Sequence, residues 1–342
     1  MAVRLPAWLI RGLIRLTLKP LLGPPLPVRF QRFWLRLAST VNAPSRAALS
    51  ERFELEGMSS LRARPRGADP ERTILYLHGG GYSVGSWGSH KGPITHLAVA
   101  ANAEVIAPNY RLAPEHPYPA AVEDALAAYR WLLAEGKRPE QIAIAGDSAG
   151  GGLSLATAIA VRDAKVPQPA AVVLISPWVD LSATAPAIEA NAKIDAMLRP
   201  SWTRACSEMY RDGLDPRDPG CSPLFANLRD LPPILIQTGT DEIIVDDSIR
   251  LHARCEEAGV DETLQVLGIG DFDAVCMQRG DVTVGAGGAD DVGEIFAQGR
   301  LGAHQVELGA ATSSLEKAAQ LVRRQVLLVV PVSYTHLTLP TI

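Results

Sequence analysis

The chain has 342 residues, 47% hydrophobic and 20% charged, with a net charge of −4 and a pI near 6.0. This ordinary globular composition can bury a large core, as one big α/β domain or two smaller ones, and its charge balance excludes nucleic acid as an expected partner. The four cysteines, Cys206, Cys221, Cys255 and Cys276, have no C-x-x-C spacing and are too sparse for a disulfide scaffold. They read as free thiols in a reducing compartment, so the expected location is cytoplasmic and no metal is implied.

Residues 1–50 are basic and apolar. Arg4, Arg11, Arg15, Lys19, Arg29, Arg32, Arg36 and Arg46 are interspersed with Leu, Ile and Trp, and no acid precedes Glu51. The cations at 11, 15 and 19 interrupt the apolar run too often for a secretory h-region or a membrane span, and no small-residue cleavage site follows. The pattern predicts an amphipathic helix pair, divided at Pro24-Pro25 and Pro27. The favoured reading is a cap packed over an apolar mouth with its arginines in water. The competing one lays residues 1–40 on an anionic membrane surface as a peripheral contact.

Thr73-Ile74-Leu75-Tyr76-Leu77 is an aliphatic run suited to a buried parallel strand, and it enters His78-Gly79-Gly80-Gly81. Backbone N–H groups reach a developing oxyanion only where no Cβ intrudes, which makes Gly79 and Gly80 candidate donors. His78, at the strand end beside this loop, reads as its prop rather than as a catalytic base. Residues 104–109 form another strand, followed by Tyr110-Arg111-Leu112-Ala113-Pro114-Glu115 and a turn in which His116 is structural. A helix begins after Pro119, with Val122, Leu126, Tyr129, Leu132 and Leu133 at helical spacing and a stop at Glu135-Gly136.

Residues 141–145 form an uncharged strand that ends in Gly146-Asp147-Ser148-Ala149-Gly150 and leads into a small-residue helix. This is the pattern of a nucleophile elbow: Ser148 on a sharp strand-to-helix turn, Gly146 and Gly150 giving room, and the N–H of Ala149 a further oxyanion donor. Strand, helix, strand, elbow, helix is the order of a parallel α/β sheet.

His78-Gly79-Gly80-Gly81, Tyr110 to Glu115 and Gly146 to Gly151, in this order and spacing, resemble the hormone-sensitive-lipase family of α/β-hydrolases, bacterial esterase type. The resemblance extends over residues 47–267. It implies an α/β-hydrolase fold, a mostly parallel sheet flanked by helices with an N-terminal helical cap. It also implies no cofactor, and hydrolysis of small carboxylic esters with short to medium acyl chains through an acyl-enzyme intermediate. Ser176-Pro177-Trp178-Val179-Asp180-Leu181, after a strand over 170–176, is again similar to the family. The irregular stretch 182–226, with Trp202, Met209, Tyr210 and Phe225, is expected to contribute to the cap and acyl pocket. A strand over 233–240 delivers Asp241, which matches the family acid that orients the histidine, at a strand end where α/β sheets place functional groups. Asp246 and Asp247 read as acids at a helix N-terminus.

After a strand over 263–267 the family places its catalytic histidine and then a closing helix, but this chain continues Gly268-Ile269-Gly270-Asp271-Phe272-Asp273. Residues 268–303 read as loop or disorder. A frame or assembly error near Gly268 is the favoured explanation. The other is a divergent ending in which His304 reaches the site as base. Residues 332–342 resemble a translated sequencing adapter and are set aside. The expected organisation is therefore a cap over 1–50, a catalytic core over 51–267, a divergent or frameshifted segment over 268–331 and an adapter-like tail over 332–342. Beside the serine carboxylesterase stands one alternative, a non-catalytic small-molecule binder on the same fold, which the missing histidine keeps in play.

Overall fold

The computed structural model describes residues 7–267 and two short strands, 275–278 and 281–283. The two helices of the expected cap, α1 (Ala7–Thr17) and α2 (Val28–Ala38), precede a hairpin of β1 (Ala48–Leu55) and β2 (Met58–Pro65). The hairpin turns at Glu56 and Gly57, both at positive φ (48° and 78°). A tight two-residue loop requires this conformation. Then follow β3 (Thr73–Leu77), α3 (Lys91–Ala101), β4 (Glu104–Pro108), α4 (Ala120–Ala134), β5 (Ile142–Asp147), α5 (Ala149–Asp163) and β6 (Ala171–Ile175). The short α6 (Ala187–Ala190), α7 (Pro200–Arg211), β7 (Ile234–Gly239), α8 (Val245–Ala258) and β8 (Glu262–Leu267) complete the core.

The strands form one sheet in the order β1-β2-β4-β3-β5-β6-β7-β8, continued by β9 (Val275–Gln278) and β10 (Asp281–Thr283). Pairings from β4 to β8 are parallel, and those of β1, β2, β9 and β10 are antiparallel. The pleat sorts the aliphatic strands between two layers. Leu75, Leu77, Ile142 and Ile144 pack with α4, α5 and the cap, whereas Tyr76, Ala145, Val173 and Ile175 pack with Ile94 and Leu97 of α3. Leu251 and Cys255 of α8 close a third cluster against Val172, Leu174, Ile236 and Leu264.

Three sequence expectations need correction. The stretch 182–226 is not irregular throughout. Trp202, Cys206 and Tyr210 recur at i, i+4, i+8 on α7 and are buried, and Pro200 occupies the first turn, where its missing N–H costs nothing. Residues 268–303 are not loop alone: β9 pairs with β8, Val266 opposite Val275, and β10 returns along it. The cap's arginines do not simply face water. Arg11, Arg15 and Lys19 donate to carbonyls between residues 192 and 195. On α2, Arg32 pairs with both carboxylate oxygens of Glu115 and donates to the carbonyls of Ser83 and Ala113. Main-chain carbonyls left without partners by irregular segments are thus satisfied by cations arriving from the cap. His304 and the tail 332–342 lie outside the described residues.

Candidate active site

Ser148 sits between β5 and α5 at φ 54°, ψ −122°, a conformation that costs a residue with a Cβ about 1–3 kcal/mol. Its surroundings over-determine that geometry. The Ser148 N–H donates to Ile175 O (2.8 Å), and Ser148 O accepts from the N–H groups of Trp178 (2.9 Å) and Gly152 (3.1 Å). A Cβ on Gly146 would lie 2.3 Å from Gly150 O, and one on Gly150 would lie 2.0 Å from Leu77 O. Strand β5, helix α5 and the end of β3 therefore meet only because both positions are glycine.

The loop after β3 lies against the elbow. Tyr76 Oη (2.7 Å) and the Gly79 N–H (2.9 Å) both donate to Asp147 Oδ1. This corrects the expectation for Gly79: its N–H is taken by Asp147 and is not available to an oxyanion. The N–H groups of Gly80 and Gly81 have no acceptor among the described residues, nor has Ala149, which opens α5. Gly80 is at φ 126°, and a Cβ there would lie 2.2 Å from Val84 O.

His78 is buried beneath this loop. Its Nδ1–H points to Gly79 O at 2.9 Å, its ring stacks on Tyr110 (centroids 4.4 Å apart), and its carbonyl accepts from Tyr110 Oη at 2.6 Å. Burial, assisted by the nearby His90, pushes its pKa down to about 3, so the ring is neutral. Nε2 has no partner among the described residues. On the other side of Asp147, His90 Nε2 is 3.5 Å from Oδ2. Burial opposes the His90 charge, but Asp147 and the Ser86 carbonyl outweigh it and leave its pKa raised; Asp147, despite burial, is held below its usual value by His90, Tyr76 and Gly79. His116 is exposed on its turn, with its own N–H bonded to Leu112 O.

Asp241 follows β7, and its partner among the described residues is a cation from the cap. Arg11 Nη2 lies 2.8 Å from Oδ2, and Thr240 Oγ1 donates to Oδ1 at 3.1 Å. No described histidine touches it. The acids after it act beyond their helix. Asp246, in the first turn of α8, accepts the Ala187 N–H, and Asp247 accepts those of Val179 and Asp180. They stitch the cap-side segments to the core.

Ser148 opens into a cleft of about 240 Å³, counting the part open to solvent, walled by Gly81, Trp178, Leu198, Trp202, Cys206 and Ile244. The Trp202 indole N–H donates to Oε1 of Gln31, a buried residue of α2, and Gln31 is itself fixed to Leu26 O. Gln31 and His90 carried no sequence signal, and Arg11 read only as one cation of an amphipathic helix, since each meets its partner only through the tertiary fold. Tyr110 lay within a quoted motif, although its bond to His78 O was not legible there. Among the described residues no group of His, Cys, Asp and Glu is arranged to hold a metal. Cys206, Cys221 and Cys255 are buried free thiols.

A family model described as alpha/beta hydrolase fold matches residues 74–269. An acetyl-hydrolase of Streptomyces hygroscopicus is 46% identical over 194 residues, which cover 57% of this chain and 65% of that protein. A putative acetyl-hydrolase of Mycobacterium tuberculosis, LipR, is 39% identical over 226 residues, covering 64% and 72%. An esterase of Acinetobacter venetianus is 39% identical, covering 56% and 64%. The chain thus spans just under two thirds of the first and third of these relatives. A solved esterase of the bacterial hormone-sensitive-lipase family superposes with a TM-score of 0.73 at 38% identity, over 77% of this chain and 87% of that one. The family model, the relatives and the solved structure lead to one conclusion: the chain belongs to the hormone-sensitive-lipase family of α/β-hydrolases.

Proposed function

We propose that this chain is a serine carboxylesterase acting on short- to medium-chain esters through an acyl-enzyme intermediate. The observation that carries the reading is Ser148, a strained residue pinned at the head of α5 and facing an apolar cleft beside N–H groups that have no acceptor among the described residues. In the reaction, Ser148 Oγ attacks the ester carbonyl as its proton passes to a base. The carbonyl electron pair becomes an oxyanion that accepts from Gly80, Gly81 and Ala149, each donor worth about 3 kcal/mol in the transition state. The alcohol departs with the proton, and water then repeats the sequence on the acyl-enzyme. Asp241 is the acid that would orient the base, and His304 is the candidate base within this chain. The two tryptophans walling the cleft support a short acyl group.

A second reading, a non-catalytic small-molecule binder, is favoured by one observation: among the described residues Asp241 is paired with Arg11 and with no imidazole. A fluorophosphonate probe separates the two. In a chain whose residues from Gly268 onward are replaced by a histidine-bearing loop and closing helix, the esterase reading expects covalent labelling at Ser148, lost in Ser148→Ala; the chain as it stands should label slowly, since phosphonylation needs the same base. Turnover of p-nitrophenyl acetate should be slow, because losing the triad base costs about 10⁶ in kcat. Replacing residues from Gly268 onward by a histidine-bearing loop and closing helix should restore it. Robust turnover by the chain as it stands, lost in His304→Ala, assigns His304 as the base. Absence of labelling together with saturable, non-covalent ester binding overturns the esterase reading.

A further inference from the structure

The cap turns an apolar face outward. On α1, Leu9, Leu13 and Leu16 recur at i, i+4, i+7 and are 42%, 50% and 78% exposed, and on α2 Phe33 and Leu37 are 62% and 49% exposed. The opposite faces carry the buried Ile14, Gln31 and Leu35. Arg11, Lys19 and Arg32, the cations that would ordinarily keep such helices in water, point inward to carbonyls and carboxylates. This inverts the usual surface helix, in which charge faces solvent and leucine faces the core. The two helices are tied directly, Trp34 Nε1 donating to Thr17 O at 2.7 Å. Two exposed cations remain on the outer face of α2, Arg29 four residues before Phe33 and Arg36 three after it.

We propose that this face docks on an anionic lipid bilayer, its leucines and Phe33 entering the headgroup boundary while Arg29 and Arg36 bind lipid phosphates. Apolar side chains flanked by arginine are the chemistry of an interfacial helix. Charge complementarity selects the occupant. Residues 1–50 contain no acid, so a second copy seated on the same face would oppose arginine to arginine, whereas an anionic surface answers both features. The contact is peripheral, since no described helix is long and apolar enough to cross a membrane. The proposal does not depend on catalysis and is tested on the full chain whether or not it turns over esters.

The experiment is flotation on a density gradient with vesicles of phosphatidylcholine alone, or of phosphatidylcholine and phosphatidylglycerol in equal parts, since aggregated protein sinks and lipid-bound protein rises. The full chain is expected to float with the anionic vesicles about tenfold more than with the neutral ones, and less as salt rises. Arg29→Gln with Arg36→Gln should lower partition about tenfold or more. A separate variant, Leu13→Gln with Leu16→Gln and Phe33→Gln, should do the same. All five side chains are exposed, so far-ultraviolet dichroism and melting should be unchanged. Flotation that is absent, equal on both lipids or untouched by both variants overturns the proposal. So does a dimer in sedimentation velocity that the apolar variant disperses without any vesicle binding, which would make the face a contact between copies.

Discussion

Arg11 Nη2 is 2.8 Å from Asp241 Oδ2 and equally close to the carbonyl of Ile194, so one guanidinium joins the first cap helix, the cap-side loop and the acid at the end of β7. The pair is partly buried, at 14% and 25% side-chain exposure. Solvent therefore screens it, and its coupling should be about 1 kcal/mol. A double-mutant cycle of Arg11→Gln and Asp241→Asn, read by denaturant unfolding, is expected to give that coupling and to lose part of it in high salt. Additive effects of the two substitutions would show that the contact holds nothing.

The His90–Asp147 pair predicts a pH dependence. A histidine raised above 6.5 contributes stability that is fully present below 6.5 and is lost as pH rises through its folded value. A carboxylate lowered below 3.8 contributes stability that is present above 3.8 and is lost as pH falls through its folded value. The pair is therefore whole between about pH 4 and 6.5. His90→Asn should lower the melting temperature more at pH 5.5 than at alkaline pH. A gap that grows with pH would reverse the assignment.

The parallel core was legible because largely aliphatic runs such as 73–77 and 141–145 have nowhere to go but a sheet covered on both faces. The strained turn at Ser148 and the crowding at Gly80 were legible because a sharp strand-to-helix turn and a tight loop demand small residues at fixed spacing, and sequence records a demand of that kind directly. Sequence does not record which N–H a carboxylate takes. Gly79 and Gly81 look alike as letters, and Asp147, a residue in another motif, takes the N–H of the first and leaves the second. The same limit hid Arg11. Its burial against Asp241 depends on α1 folding back over the end of β7, about 230 residues later in the chain, and no local pattern encodes that distance. Helix α7 is a different case: its i, i+4, i+8 signal was present, and the surrounding turn residues obscured it.

Glu242, beside Asp241, is a buried acid whose pKa is raised to about 8, chiefly by burial, with the nearby Asp195 adding to it. Oε1 accepts from Ser176 Oγ and the Gly239 N–H. The folded state keeps this proton through pH values at which an unfolded glutamic acid has lost it. Wild-type stability should accordingly fall as pH rises from about 4.5 to 8 and then level off. Glu242→Gln has the same shape and no proton to lose. It should be close to wild type at pH 5 and more stable by about 2–4 kcal/mol at pH 8 and above. Parallel stability curves for the two proteins would place an ionised carboxylate in the core.

Ser148 supplies the last test, because strain and chemistry can be separated there. At φ 54° and ψ −122° a Cβ is unfavourable and glycine is not, yet glycine also enlarges the unfolded ensemble by about 0.5–1 kcal/mol. The strain is the larger quantity. Ser148→Gly should therefore be about 1 kcal/mol more stable than Ser148→Ala, which keeps the Cβ and loses only the hydroxyl. Both should be silent to a fluorophosphonate probe. Chemical denaturation of the two variants under one condition is sufficient. If glycine proves no more stable than alanine, the elbow holds its serine without stored strain. The exposure of the hydroxyl would then come from the main-chain bonds to Ile175, Trp178 and Gly152 alone.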